Sequence, residues 1–344
     1  MIMIIPEGYR SKLSPHNTEK AIKAAKDIFE KELSGALKLS RITSPLFVKS
    51  GSGINDDLSG VEKPVSFKVS ALGGQQMEIV QSLAKWKRMA LADYNYQPGR
   101  GIYTDMNALR PDDDVDPIHS VYVDQWDWEK AIRPEDRTLD YLKKTVTEIY
   151  SAMKRTAFLL GELYPELDDY LPENITFIHS EDLEAEYPDL DPVEREKKAA
   201  KKYGAIFIIG IGYPLSDGKP HGMRAPDYDD WSTENHNGCH GLNGDIIVWD
   251  RVRNDSLELS SMGVRVDAEA LVRQLDMKGA EARKELYWHK RLLRGDYPET
   301  IGGGIGQSRL CMLLLNKAHI GEVQASVWSE EDREEARSKG VYLI

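Results

Sequence analysis

The sequence predicts a mixed α/β fold of the α+β kind, built on a mainly antiparallel sheet. Three observations predict it. Candidate strands come as hairpin-like pairs, not in regular alternation with helices. Amphipathic helical segments lie before, between and after those pairs. No repeat, low-complexity tract or Gly/Ser/Pro hinge interrupts the 344 residues, so residues 1–344 read as one large domain.

The first helix is expected over Asn17 to Leu33, capped by Asn17, because Ala21, Ile22, Ala25, Ile28, Phe29 and Leu33 fall at helical spacing. Val65, Phe67, Val69 and Ala71 alternate as a strand, Gly73-Gly74 turns it, and Met77 and Ile79 begin the return. Ser82 to Leu91 reads as a helix with a basic face of Lys85, Lys87 and Arg88. Ile102 to Arg110 and Ser120 to Trp128 are the next strands. The loop between them, Pro111 to His119, holds four aspartates and two prolines. Leu139 to Leu160 is a long helix with Leu142, Val146, Ile149 and Met153 on one stripe. The acidic stretch Ser180 to Lys201 reads as an exposed loop and helix and is the weakest place for a domain boundary. Ala205 to Gly210 is a buried strand, and Gly244 to Asp250 pairs with Ser256 to Val266. Ala280 to Arg294 is helical. Ile301 to Arg309 reads as a glycine-rich turn opening the apolar helical run Leu310 to Leu315.

Composition excludes several functions. Lys+Arg 45 against Asp+Glu 57 leaves a net charge of −12, which argues against phosphate backbones and anionic membranes as partners. Two cysteines, Cys239 and Cys311, exclude a disulfide framework and suggest a reducing compartment. The longest uncharged run, Gly204 to Ser216, is too short to cross a bilayer and contains Gly and Pro. The apolar start Met1 to Ile5 stops at Pro6, short of a signal peptide. A cytoplasmic protein is expected.

Several constellations carry chemistry. Gly302, Gly303, Gly304 and Gly306 allow a backbone to run close to a flat ligand, and Arg309 on an apolar helix calls for an anionic partner. The spacing is neither a P-loop nor a dinucleotide fingerprint, and a structural turn is the competing reading. Gly210-Ile211-Gly212 is followed by turn chemistry and carries no cofactor reading. Alternation puts Val121, Val123, Gln125 and Asp127 on one strand face, with Tyr122, Asp124, Trp126 and Trp128 on the other. The polar end of the first stripe suggests a sheet face opening into a pocket or into solvent, with Arg110 close by. A turn centred between Val252 and Arg253 puts Asp245 opposite Ser260, with Glu258 diagonal on the same face. Two carboxylates so placed suit Mg²⁺, or simply a solvated face. His236, Cys239 and His240 are too few for a closed zinc site. Asp227, Asp229 and Asp230 around Tyr228 and Trp231 are a solvated loop or an ammonium-recognising knot. No nucleophile elbow is present.

In order, a strand at Pro45-Leu-Phe-Val, the Arg110 strand with its variable loop and return, and Gly304 to Arg309 opening a helix resemble a class II aminoacyl-tRNA synthetase core. Asn55-Asp-Asp-Leu-Ser-Gly60, Ser82 to Arg88, His119 to Trp128, Arg224 to Trp231, Gly241 to Asp245, Glu258 to Gly263 and Ile301 to Leu310 together resemble the ammonia-dependent aspartate–ammonia ligase family. That resemblance implies a seven- or eight-stranded antiparallel sheet flanked by helices, in a homodimer. It implies L-aspartate, ATP and ammonia as substrates, with Mg²⁺, and asparagine, AMP and diphosphate as products of a β-aspartyl-adenylate route. By matching position, Arg110 and Arg309 fall on the nucleotide, with Ser120, Val123, Gly304 and Gly306 beside it, and Asp245 and Glu258 hold Mg²⁺. Lys87 is the candidate for a substrate carboxylate, and Gln125, Asp127 and Asp229 fix the amino acid. Asp56 positions or deprotonates ammonium, and Ser261 and Arg265 are second choices near the nucleotide or substrate. Gln81 departs from the His of some relatives. Three alternatives stand: a true aspartyl- or asparaginyl-tRNA synthetase, a catalytically dead paralogue, and a glutamine-dependent amidotransferase, the last without an N-terminal cysteine.

Overall fold

The structure, a computed structural model, describes residues 5–56, 58, 62–235 and 238–344. Its first elements are α1 (Pro15–Leu37), β1 (Leu39–Arg41), β2 (Phe47–Lys49), β3 (Ser66–Val69), β4 (Gln75–Ile79), α2 (Ala84–Asp93), β5 (Gly101–Leu109), β6 (Tyr122–Ala131) and α3 (Leu139–Leu163). There follow β7 (Thr176–His179), α4 (Ser180–Glu186), α5 (Pro192–Tyr203), β8 (Ala205–Ile209), β9 (Asn243–Asp250) and β10 (Asp255–Val264). The last are α6 (Ala268–Met277), α7 (Tyr287–Leu293), β11 (Thr300–Gly306), α8 (Gln307–Leu314) and α9 (Glu330–Ser338). An eight-stranded sheet runs β1-β5-β6-β11-β10-β9-β8-β7, and β2-β4-β3 form a small second sheet. The outermost pairings, β1–β5 and β7–β8, are parallel; those between are antiparallel.

Period-two alternation sorts the two faces of the large sheet. Trp126, Trp128, Ile246, Val248, Ile301 and Ile305 point to one face and join the main core with α1, α3 and α8. On α1, Ala21, Ala25, Phe29, Leu33 and Leu37 recur every four residues and are buried, so one stripe meets α3 and the sheet. The other face carries the polar positions of β6, β9, β10 and β11, under α2.

The structure revises or sharpens five expectations. α1 starts before Asn17, because Ser14 Oγ accepts from the Asn17 N–H at 3.3 Å and Pro15 suits the first helical position. The basic face of α2 is turned inward: Lys85, Lys87 and Arg88 are buried against carboxylates distant in sequence. Ala280 to Arg294 is broken into a 3₁₀ turn at Glu281–Glu285 and α7. The strand expected at Pro45 to Val48 is β2, Phe47–Lys49, and it lies in the small sheet. Most consequential, Gly302 to Gly306 is not a turn but the inner strand β11, paired on both sides.

His319 stands beside this core. It is buried, its Nδ1 accepts from Gly321 N at 3.0 Å, and its ring meets Trp328 edge-on at 4.8 Å. Burial pushes its pKa down to about 4. A folded pKa below the unfolded value of about 6.5 means that the unfolded chain takes the proton first. The stabilisation is therefore complete above about pH 6.5 and is lost as pH falls toward about 4. The stability advantage of wild type over His319→Gln, from urea unfolding, is expected to shrink by on the order of 2–3 kcal/mol from about pH 7 to about pH 4. A pH-independent difference would contradict this reading.

Candidate active site

Register builds the site. Thr104, Asp127, Gly304, Ser261 and Asp245 form one line across β5, β6, β11, β10 and β9. The next line is Ile102, Glu129, Gly302, Gly263 and Asn243. Glycine matters at two of these positions. A Cβ at Gly304 would lie 2.5 Å from Gln125 Oε1 and 2.8 Å from Asp127 Oδ1, and a Cβ at Gly302 would strike the Glu129 carboxylate. The side chains of β6 thus lean over a bare strand, and β11 becomes the floor of a cavity.

A buried charge network stands on that floor. Arg265 Nη2 and Nε donate to Glu129 Oε2 and Oε1 at 2.9 and 3.1 Å, and Nη1 donates to Asp229 Oδ1. Lys87 Nζ lies 3.2 Å from Asp127 Oδ2 and 4.0 Å from Glu129 Oε2, and donates to the Gly303 carbonyl at 2.9 Å. Burial pushes the Lys87 ammonium below its ordinary value, against the pull of Asp127. Burial likewise lifts the Asp229 carboxyl, with Arg265 opposing. Arg265 is held well above its ordinary value: burial works against its charge, but Glu129 and Asp229 outweigh it.

The two expected arginines stand apart from this floor. Arg110 follows β5 and donates to the Gln81 carbonyl at 3.3 Å; its Nε has no hydrogen-bond partner among the described residues. Arg309, in the first turn of α8, donates to the Glu258 carbonyl at 3.0 Å and lies 3.6 Å from the Glu258 carboxylate. Its Nη2 lies 2.7 Å from His119 Nε2. A guanidinium only donates, so His119 accepts there and turns an Nδ1–H to Asp116 Oδ2 at 2.9 Å.

The Asp245–Glu258 pair required a correction of register. The turn centres as expected, but a bulge between Glu258 and Ser260 slips the pairing, and Asp245 faces Ser261 instead of Ser260. Glu258 pairs with Ile247, two residues from Asp245, so the carboxylates still share a face. Burial lifts the Asp245 carboxyl; Arg224 opposes this and Glu258 adds to it. Arg224 Nη2 reaches both Asp245 oxygens at 2.5 Å and Ser261 Oγ at 3.2 Å. Both carboxylates are oxygen donors of the kind Mg²⁺ takes, although Arg224 holds both Asp245 oxygens in this structure.

One cavity of about 410 Å³ is lined by Lys87, Arg110, Ser120, Val123, Gln125, Asp127, Asp229, Glu258, Ser261, Arg265, Gly304, Gly306 and Arg309. Asp245 and Asp56 are not in its lining. Asp56 is buried 3.2 Å from Lys85 Nζ, and neither of its oxygens has a hydrogen-bond partner among the described residues. The acidic knot is divided. Asp229 reaches the cavity, whereas Asp227 is tied to Lys85, Arg283 and His289. Asp230 bonds Arg137 and the Ser232 and Thr233 N–H groups, so it shapes the chain. Cys239 approaches Glu181, not His240, and His236 lies outside the described residues. Glu129, His119 and Arg224 were missed as site residues. Glu129 continues the Gln125–Asp127 alternation one step further, a signal the expected end at Trp128 cut off.

Comparison with known proteins agrees with this geometry. The sequence model of the family described as aspartate-ammonia ligase matches residues 16–340. A protein of Parabacteroides distasonis named aspartate–ammonia ligase is 57% identical over 342 residues, 99% of each chain. One of that name from Clostridium perfringens is 52% identical over the same span, again 99% of each chain. Among solved structures, asparaginyl-tRNA synthetase from Pyrococcus horikoshii, complexed with asparaginyl-adenylate, aligns with a TM-score of 0.67 at 16% identity. That match covers 91% of this chain and 70% of that one. The Entamoeba histolytica asparaginyl-tRNA synthetase complex gives 0.65 at 15% identity, covering 90% and 66%. These two likenesses are of fold: a class II aminoacyl-tRNA synthetase-like sheet flanked by helices. With a buried charge floor facing two arginines, and with full-length relatives of one name, the chain belongs to the aspartate–ammonia ligase family.

Proposed function

We propose that this cavity makes L-asparagine from L-aspartate, ammonia and ATP through a β-aspartyl-adenylate, releasing AMP and diphosphate. The observation that carries the reading is the meeting, in one cavity, of paired buried charges on the floor and two arginines beside it. Aspartate brings one ammonium and two carboxylates. Lys87 and Arg265 offer the cations for a carboxylate, while Asp127, Asp229 and Gln125 offer acceptors for the ammonium.

In the first step a β-carboxylate oxygen attacks the α-phosphorus, and the bond from phosphorus to the diphosphate oxygen breaks. Negative charge grows on the α-phosphate oxygens. Fixed guanidinium donors stabilise that charge more than the ground state, and this is the role given to Arg110 and Arg309. Ser120, Val123, Gly304 and Gly306 line the nucleotide, and Ser261 braces Arg224 beside it. Asp245 and Glu258 would hold Mg²⁺, which when bound neutralises phosphate charge. In the second step ammonia attacks the β-carbonyl carbon and AMP leaves. Only neutral ammonia is nucleophilic, so ammonium must give up a proton; Asp56, a buried carboxylate ion-paired with Lys85, is the group assigned to it.

We place the whole chain, 1–344, in one catalytic domain, because the cavity draws residues from Leu58 to Gln324. We also propose a cytoplasmic homodimer. Leu46, Phe47, Phe67 and Leu72 expose apolar surface at the small sheet that a second copy would cover. Among the described residues no helix is long and apolar enough to cross a membrane.

Product analysis tests the reading. With aspartate, ATP, Mg²⁺ and ammonium, AMP and asparagine are expected, with little product when glutamine replaces ammonium. ADP as product would refute adenylation, and charging of tRNA without asparagine formation would favour a synthetase. Arg110→Ala is expected to lower AMP formation at least about a hundredfold with an unchanged circular dichroism spectrum. Near-wild-type turnover would remove Arg110 from the chemistry. Gln125→Ala, which removes an acceptor offered to the substrate ammonium, is expected to raise the KM for aspartate at least about tenfold and leave that for ATP nearly unchanged. An equal rise in both would place the amino acid elsewhere.

A further inference from the structure

We propose that His179, Glu181 and Cys239 form a binding site for a thiophilic divalent cation such as Zn²⁺, separate from the catalytic cavity. His179 is buried, Glu181 and Cys239 are half-buried, and a ligand atom from each lies within 4.8 Å of the others. They come from two parts of the chain. His179 ends β7 and Glu181 opens α4. Cys239 sits in a turn closed by the Glu234–His240 bridge and by the bond from Asn235 N to Cys239 O at 2.7 Å.

Imidazole nitrogen, carboxylate oxygen and thiolate sulfur together are a zinc-type donor set, unlike the all-oxygen pair at Asp245 and Glu258. The histidine is already oriented. Its Nε2 lies 3.0 Å from the His240 carbonyl oxygen. A carbonyl can only accept, so the ring proton is on Nε2 and the lone pair is on Nδ1. That lone pair now accepts the N-cap hydrogen bond of α4 from Glu181 N at 3.2 Å, which a metal ion would replace. Cys239 Sγ stands 3.5 Å from Glu181 Oε2. Donor atoms of a tetrahedral zinc site, with bonds of about 2.0–2.3 Å, are roughly 3.3–3.8 Å apart, so this edge already has the needed length. The backbone carbonyl behind the imidazole is the support that metal-bound histidines ordinarily have. Water would complete the three protein ligands. Binding forms an S–metal bond and releases the thiol proton to solvent, with no change of oxidation state.

Cobalt titration of the reduced, chelator-treated full-length chain tests the site. Saturable binding of one Co²⁺ per chain is expected, with a near-ultraviolet thiolate-to-cobalt charge-transfer band and visible bands of tetrahedral strength, both displaced by Zn²⁺. Cys239→Ser is expected to abolish the charge-transfer band, and His179→Gln to weaken binding at least about tenfold. Both variants should keep the wild-type circular dichroism spectrum and Mg²⁺-supported asparagine formation. Cobalt held by oxygen ligands at Asp245 and Glu258 would give weak octahedral bands and no thiolate band, so it is distinguishable. No saturable charge-transfer band, or one that survives in Cys239→Ser, overturns the proposal.

Discussion

The rest of the structure depends on keeping Lys87, Asp127, Glu129, Asp229 and Arg265 charged and dry on one face of the central sheet; each is at most 3% exposed. Isolated, any one of these charges would be several kcal/mol too costly to bury. Paired, they still demand space and geometry. The space comes from β11, where Gly302 and Gly304 carry no side chain beneath Glu129, Gln125 and Asp127. The geometry comes from the sheet register, which sets Glu129 and Asp127 on adjacent lines, and from α2, which delivers Lys87 from above. The opposite face is apolar and holds α1 and α3, so the same strands anchor the core and carry the charges.

This arrangement suits a substrate that is small and densely charged. A charge floor fixed before the ligand arrives has little to reorganise, and the cation and carboxylates are spaced for complementary groups. The arginines answer a different need. Arg110 and Arg309 are tied mainly to backbone carbonyls, not to buried carboxylates, so their charge is available to an anion. In the proposed reaction the paired floor would hold the amino acid, and the two arginines, beside the less buried Asp113 and Glu258, would meet the phosphate.

Much of this was legible in the sequence where the signal is local. The alternation through Trp128 correctly divided Gln125 and Asp127 from Trp126 and Trp128, and the order of strand pairs gave the antiparallel sheet. What was not legible depends on distant partners. A run of glycines looks the same as a turn or as a floor strand; β6 and β10 on either side make it a strand. The burial of the basic face of Lys85, Lys87 and Arg88 has no local signature, because Asp56, Asp227, Asp127 and Glu299 come from elsewhere in the chain. The bulge after Glu258 has no local signature, and it is what brings Ser261 to Asp245. His119 was quoted only as part of a motif; its contact with Arg309 crosses the fold.

In the proposed reaction the floor aims the β-carboxylate of aspartate at the α-phosphorus between the two arginines. Isotope transfer measures this directly. Aspartate carrying ¹⁸O in both β-carboxylate oxygens should pass one label to the phosphate of AMP and keep the other in the asparagine amide carbonyl. AMP without label, or label in the diphosphate, would contradict it.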